Sequence, residues 1–230
     1  MTAAVLKVSE VFESLQGEGA SAGVPCVFLR LATCNLRCAW CDTKYTWDFK
    51  QYRYEDEVRE VAVEVVATEL RALRSRRLVL TGGEPLLQQP TLEALLLELG
   101  DEWTVEVETN GTLAPSPALA ARVDQWNVSP KLENSGEPLA RRLDRVVLDA
   151  FAGSGKAWLK LVLEAGDTDE AMDLVRSLGW PLERVLFMPQ ARTRAELLHR
   201  SPAIAELSRA HGVRFSSRLH LALWGERRGV

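Results

Sequence analysis

The chain has 230 residues, 47% of them hydrophobic and 26% charged, with a formal net charge of −4. That is room for one domain with a sizeable core, and the composition excludes extensive disorder. A net negative chain gives no electrostatic reason to expect nucleic acid or an anionic membrane as the main partner. No apolar run approaches the ~18 residues of a membrane-spanning helix, and the N-terminus lacks the basic-then-apolar pattern of a secretion signal. Four cysteines without such a signal fit a reducing, cytoplasmic compartment.

Val5 to Ser14 alternates in part and predicts an edge strand. It runs into Leu15-Gln16-Gly17-Glu18-Gly19, where two glycines flank a carboxylate. A plain turn and a loop whose backbone approaches a ligand both fit that composition. Cys26 to Leu31 predicts an apolar strand with Cys26 as a small buried hydrophobe. That strand delivers the chain into Cys34-Asn35-Leu36-Arg37-Cys38-Ala39-Trp40-Cys41, followed by Asp42-Thr43. Over residues 55–74, Val58, Val61, Ala62, Val65, Val66, Leu70 and Leu73 recur at helical spacing. Arg77 to Thr81 predicts a short buried strand ending in Gly82-Gly83-Glu84-Pro85, a turn that could simply start a helix at Pro85.

A helix over 91–99 precedes an alternating strand over 103–108, which ends in Thr109-Asn110-Gly111. A shorter strand over 125–128 ends in Ser129-Pro130-Lys131. Residues 133–155 read as irregular structure around a short helix. Strand 157–163, helix 169–178, strand 185–188 with Pro189-Gln190 after it, and helix 194–210 follow. In the last stretch, Arg218 to Trp224, His220 reads by itself as a histidine of an amphipathic strand.

Strands alternating with helices imply an α/β fold with a mostly parallel sheet. Polar residues and glycines gather just after successive strands, at 34–43, 81–85, 108–111, 129–131 and 189–190. In parallel architectures those ends face one way and form the active site. Six strands and four convincing helices are too few for a closed eight-fold barrel. The expectation is therefore a partial, open (β/α)6-type barrel with a reduced helix count, one domain over residues 1–230.

Cys34, Cys38 and Cys41 have the spacing C-x3-C-x2-C with an aromatic, Trp40, before the last cysteine. Thiolates hold iron–sulfur clusters, normally one per iron, so three from one loop would leave one iron of a four-iron cube open. The same cysteines could form most of a structural zinc site, with Cys26, His199, His211 or His220 as the fourth ligand, in a non-catalytic binding module. The spacing resembles the signature of the radical S-adenosylmethionine (SAM) superfamily, in which the open iron chelates SAM. Gly82-Gly83-Glu84-Pro85, one strand later, strengthens that resemblance.

The resemblance narrows over almost the whole chain. Gln16-Gly17-Glu18-Gly19, Arg30, the cysteine loop, Asp42-Thr43, Thr81 to Pro85, Glu108 to Gly111, Ser129 to Lys131 and Pro189-Gln190 occur in order. That set resembles the 7-carboxy-7-deazaguanine synthases, radical SAM lyases of queuosine and 7-deazapurine biosynthesis. The resemblance implies a ring contraction of 6-carboxy-5,6,7,8-tetrahydropterin to 7-carboxy-7-deazaguanine with loss of ammonia. An electron from a reduced [4Fe-4S] cluster cleaves SAM, the resulting radical takes a hydrogen atom from the pterin, and SAM is regenerated.

By matched position, Cys34, Cys38 and Cys41 would hold the cluster. Trp40, Asp42, Gly83, Glu84, Ser129, Pro130, Lys131 and Gln190 would bind SAM, and Thr43 would ligate Mg2+. Leu15, Gln16, Gly17, Glu18, Arg30, Thr81 and His220 would bind the pterin, Arg30 as a planar donor fork for its carboxylate. The family further implies a homodimer and an electron donor such as flavodoxin or ferredoxin, with no nucleic acid and no membrane. In some members the chain stops soon after the histidine and its terminal carboxylate reaches the substrate, whereas here Trp224 to Val230 follow His220. A radical SAM activase acting on a partner protein shares the cysteine loop, but does not account for Gln16 to Gly19 together with Arg30.

Overall fold

The computed structural model describes residues 4–230. Its strands are β1 (Val5–Leu15), β2 (Pro25–Leu31), β3 (Arg59–Ala62), β4 (Arg77–Gly82), β5 (Thr104–Thr109), β6 (Gln125–Val128), β7 (Ala157–Leu163), β8 (Val185–Pro189) and β9 (Arg214–Phe215). They form one sheet in the order β3-β1-β2-β4-β5-β6-β7-β8-β9. β1 runs antiparallel to both β2 and β3, and every pairing from β2 onward is parallel. The two ends of the sheet do not pair, so the barrel is open, as the alternation of elements implied.

The helices are α1 (Tyr54–Glu57), α2 (Val63–Arg71), α3 (Gln89–Leu99), α4 (Pro117–Arg122), α5 (Leu139–Arg142), α6 (Arg145–Gly153), α7 (Thr168–Leu178), α8 (Arg194–His211) and α9 (Leu219–Trp224). Side-chain oxygens of Ser116, Asp144 and Thr193 cap α4, α6 and α8 by accepting from backbone N–H groups two to three residues into each helix. The reduced helix count expected from the sequence is not found among the described residues: at least one helix lies between each successive pair of parallel strands, although several are short, such as six-residue α4.

Three further sequence expectations are corrected. The helix expected over 55–74 is α1, then β3, then α2. Arg59 to Ala62 pairs with β1, Val8 opposite Arg59 and Val5 opposite Ala62, because a sheet edge presents unpaired backbone groups that tertiary pairing can satisfy at the expense of local helical periodicity. β1 is consequently second in the sheet rather than its edge. His220 lies on α9, not on a strand.

Each strand divides its side chains between two faces. On one face Leu29, Leu31, Leu78, Leu80, Val105, Val107, Leu159 and Leu161 pack with Val66, Leu70, Leu92, Leu95 and Leu96 of the helices into the main core. The other face holds only a small apolar cluster, Cys26, Phe28 and Val79 with Phe12 against it. Beside that cluster stand Arg30, Thr81, Glu106, Glu108, Asn127 and Lys160. The alternation Thr104-Val105-Glu106-Val107-Glu108 thus reports a polar barrel interior in strands that a parallel sheet usually fills with apolar residues. Leu80 is fully buried in the main core. Leu80→Ala is expected to cost ~2–5 kcal/mol of unfolding free energy, measured by urea titration; a loss below ~1 kcal/mol would contradict this packing.

Candidate active site

The polar interior opens at the C-terminal ends of the parallel strands into a cavity of about 500 Å³. Every residue assigned a site role by the sequence lines it, except Glu84 and Pro130. Both of those are buried. Glu84 accepts from Thr109 Oγ1 at 2.8 Å, Asn110 N at 2.7 Å and Leu86 N at 3.1 Å. Its burial raises its pKa, and those three donors oppose the rise. It therefore staples the β4 and β5 ends together from behind the cavity wall.

The cysteine loop follows β2 and is locked to the turn after β4. Thr33 has a φ of +74°, unusual for a β-branched residue, and its carbonyl accepts from Glu84 N at 2.9 Å. A Cβ on Gly83 would stand 1.9 Å from the Thr33 carbonyl oxygen, and one on Gly82 would stand 2.1 Å from that of Leu31. Only two glycines allow this approach, which explains the pair in the sequence. Arg37 wraps its own loop, donating to Cys34 O at 2.5 Å and Leu36 O at 2.8 Å. Asn35 is held by Asn110 and Thr112, and Ala39 N by Ser135 O.

All three loop cysteines are free thiols lining the cavity. Cys34 Sγ accepts from Leu36 N at 3.4 Å, and Cys41 Sγ from Trp47 Nε1 at 3.3 Å. Burial pushes the Cys34 thiol up to about 12 and raises that of Cys38. Among the described residues no three Cys, His, Asp or Glu side chains converge tightly enough for one metal ion. The donor set therefore does not fit the mononuclear zinc site left open by the sequence. Three thiols standing apart around open space, with N–H groups aimed at two of them, fit a larger iron–sulfur cluster, whose positive iron offsets the cost of ionising buried thiols. Cys26 is buried among Phe12, Phe28 and Val79, away from that loop.

Around the loop, Lys131 Nζ lies 5.5 Å from the Trp40 ring centroid and donates to Ser129 Oγ at 3.1 Å. Trp40 Nε1 donates to Asn134 Oδ1 at 3.1 Å. Gln190 is fixed by Arg200, which donates to its carbonyl at 2.6 Å and also to its side-chain oxygen. Thr43 Oγ1 stands 3.7 Å from Cys41 Sγ.

Deeper in the barrel, Glu18 is clamped by Lys160 at 2.5 Å and Arg218 at 2.9 Å. Burial alone would raise the Glu18 pKa, but the two cations hold it far below the carboxylate range. Arg218 also pairs with Asp42 and donates to Ala191 O. Gln16 donates to Glu106 at 2.8 Å and Glu108 at 3.3 Å, and Thr81 donates to Glu108 at 2.8 Å. His220 packs on Gly17: a Cβ there would come 2.2 Å from His220 Nδ1. Burial lowers the His220 pKa, with Glu18 opposing. Arg30 gives its Nε to Glu10 at 2.7 Å, and its Nη atoms have no partner among the described residues.

Sequence reasoning assigned no role to Lys160, Arg218, Glu106 or Glu108. The available signal was charge out of place: Lys160 is the one cation in the apolar run Ala157–Leu163, and such a lysine is seldom buried without a partner carboxylate.

The family model of the Radical SAM superfamily matches residues 30–189, the span from Arg30 to the end of β8. The chain is 40% identical to the 7-carboxy-7-deazaguanine synthase of Pyrobaculum aerophilum over 97% of each, and 37% identical to that of Hyperthermus butylicus over 94% of this chain and 92% of the relative. The chain belongs to the 7-carboxy-7-deazaguanine synthase family of radical SAM enzymes. The crystal structure of QueE from Escherichia coli has the same fold, with a TM-score of 0.70, 25% identity and coverage of 94% of this chain and 95% of that one. Membership brings a [4Fe-4S] cluster and SAM as cofactors. Among the described residues no helix is long and apolar enough to cross a membrane.

Glu106 is fully buried, and burial raises its pKa above the ordinary 4.5 against the hydrogen bonds from Ser21, Gln16 and Asn127. The folded protein thus holds this proton to higher pH than the unfolded chain does. The stability from this group is present below the unfolded pKa and lost as pH rises through the folded one. Glu106→Gln, which does not ionise, is expected to gain stability relative to the parent as pH rises above the ordinary carboxylate value of 4.5 in urea titrations, whereas a difference independent of pH would contradict the reading.

Proposed function

We propose that this cavity contracts the ring of 6-carboxy-5,6,7,8-tetrahydropterin to 7-carboxy-7-deazaguanine with loss of ammonia, within one domain spanning residues 1–230. The cluster, when bound, supplies one electron to SAM, which becomes the source of hydrogen-atom abstraction from the substrate. Cys34, Cys38 and Cys41 would hold the cluster through their thiolates, and three ligands from one loop would leave it an open position for SAM. The chain binds the rest of SAM with the backbone at Gly83, the Trp40 ring, Lys131 and Ser129, Asp42 and Gln190. Glu84 and Pro130 shape that wall from within. Thr43 presents a neutral hydroxyl oxygen beside the cysteine loop and would supply one oxygen ligand to magnesium, a hard cation that suits such donors.

The observation that carries the substrate reading is Arg30. A guanidinium facing a cavity with both Nη atoms unpartnered among the described residues is a ready fork for a carboxylate. Around the same cavity, Leu15, Gln16, Gly17, Glu18, His220 and Thr81, the last beside Arg30 on the neighbouring strand, supply a wall of mixed donors and acceptors for the amide and amine edge of a bicyclic pterin. The carboxylate of Glu18 stays ionised between its two cations, so it accepts and does not donate. A neutral His220 can offer either a donor or an acceptor nitrogen to the same ring. An activase would need a docking face for a protein, whereas this wall is suited to a small molecule. A homodimer, and an electron carrier such as flavodoxin or ferredoxin, complete the proposal.

Arg30→Ala in the reconstituted enzyme is expected to raise the KM for the carboxypterin by roughly 30- to 100-fold, the loss of a charge-assisted hydrogen-bond pair. Iron content and SAM affinity should stay unchanged. An unaltered KM would remove Arg30 from the substrate site.

A further inference from the structure

The segment after α9, residues 225–230, runs along the rim of the cavity and lines it. One side chain pins it. The Arg228 guanidinium lies 3.6 Å from the centroid of the Tyr45 ring, donates through Nε to Glu10 at 3.0 Å and through Nη2 to Glu57 at 2.8 Å. It thereby joins the C-terminal segment to β1, α1 and the turn after the cysteine loop. Glu10 is the same carboxylate that holds Arg30, at 2.7 Å, and that Tyr45 donates to at 2.9 Å. A register shift between Val8 and Glu10 in β1 sets Glu10 directly across from Arg30 in β2.

This corner contains two guanidiniums, Arg30 and Arg228, and two carboxylates, Glu10 and Glu57. Without Arg228 it would hold one cation and two anions at the place where an anionic substrate must arrive. Repulsion of like charges in a half-desolvated corner is strong enough to weaken a bound carboxylate. A cation on Glu10 also frees Arg30 from having to neutralise it alone.

We propose that Arg228 is a positioning residue: it latches residues 225–230 along the rim and neutralises Glu10, which leaves the Nη atoms of Arg30 free for the substrate carboxylate. The second half rests on the reading of Arg30 given above. The role belongs to the side chain of Arg228 and its three partners.

The test uses the reconstituted enzyme with Arg228→Ala, Arg228→Lys, Arg30→Ala and Arg209→Ala, the last an exposed arginine paired only with Glu206 on α8. Two quantities are read: amide hydrogen exchange over 225–230 without substrate, and KM against kcat for 6-carboxytetrahydropterin. Arg228→Ala should speed exchange over 225–230 and raise KM about tenfold, with kcat within about twofold, as expected for one stacked guanidinium in two partly exposed ion pairs. Arg228→Lys should recover part of the KM and little of the exchange protection, since it keeps the charge and loses the stacked fork. Arg209→Ala should change neither. Unchanged exchange in Arg228→Ala overturns the latch. A raised KM in Arg30→Ala with an unchanged KM in Arg228→Ala overturns the coupling while leaving the Arg30 reading intact; an unchanged KM in Arg30→Ala overturns both together.

Discussion

A carboxylate held between two cations inside a barrel is the constraint on which the rest of this structure depends. Glu18 sits between Lys160 and Arg218, and an ion taken out of water at that depth is tolerated only when it is paired and its remaining lone pairs are satisfied. The pairing joins distant parts of the chain. Glu18 belongs to the loop after β1, Lys160 to β7, and Arg218 to the segment before α9; Arg218 then reaches Asp42 beside the last cluster cysteine. Gln16 extends the web to Glu106 and Glu108 on β5. The Gln16–Glu18 loop, the end of the cysteine loop and the segment before α9 are thereby tied to one another by charge. Well-packed apolar residues would serve stability as well or better, so a web of this kind is understandable as the lining of a site.

The sheet makes that lining possible by giving its two faces different work. One face and the helices bury Leu29, Leu80, Val107 and Leu161 together, which supplies the stability. The other face is released from packing and carries Arg30, Thr81, Glu108 and Lys160. At the strand ends the Gly82-Gly83 pair lets the β4 turn press against Thr33, so the start of the cysteine loop is anchored by backbone contact, which side chains farther along the loop then supplement.

Much of this was legible in the sequence, for identifiable reasons. Strands β2, β4, β5, β7 and β8 announce themselves because each is a short apolar or alternating run bounded by glycine or polar residues. The site residues were legible because they cluster just after those strands, and the chemistry of C-x3-C-x2-C is hard to imitate. β3 was hidden because Val61 and Ala62 fit the helical period of the stretch and Arg59 to Ala62 shows no strand alternation, so only the open edge of β1 makes it a strand. Lys160 and Arg218 were missed because their significance lies in a partner 142 or 200 residues away. Glu84 was singled out as a SAM contact from its glycine-flanked turn, but its three donors, from the β5 end and its own turn, were not legible because two of them lie 25 or 26 residues away.

The most direct test of the account is anaerobic turnover of reconstituted Glu18→Gln beside the parent, with SAM, dithionite, magnesium and 6-carboxytetrahydropterin, following 7-carboxy-7-deazaguanine and deoxyadenosine by mass spectrometry and iron content in the same samples. The parent should form the carboxydeazaguanine. Glu18→Gln should retain its iron and still cleave SAM, yet give little carboxydeazaguanine for each deoxyadenosine released, because the charge that orders the substrate wall is gone while the cluster loop remains. Full product formation by Glu18→Gln, or deoxyadenosine without carboxydeazaguanine from the parent, would contradict the account.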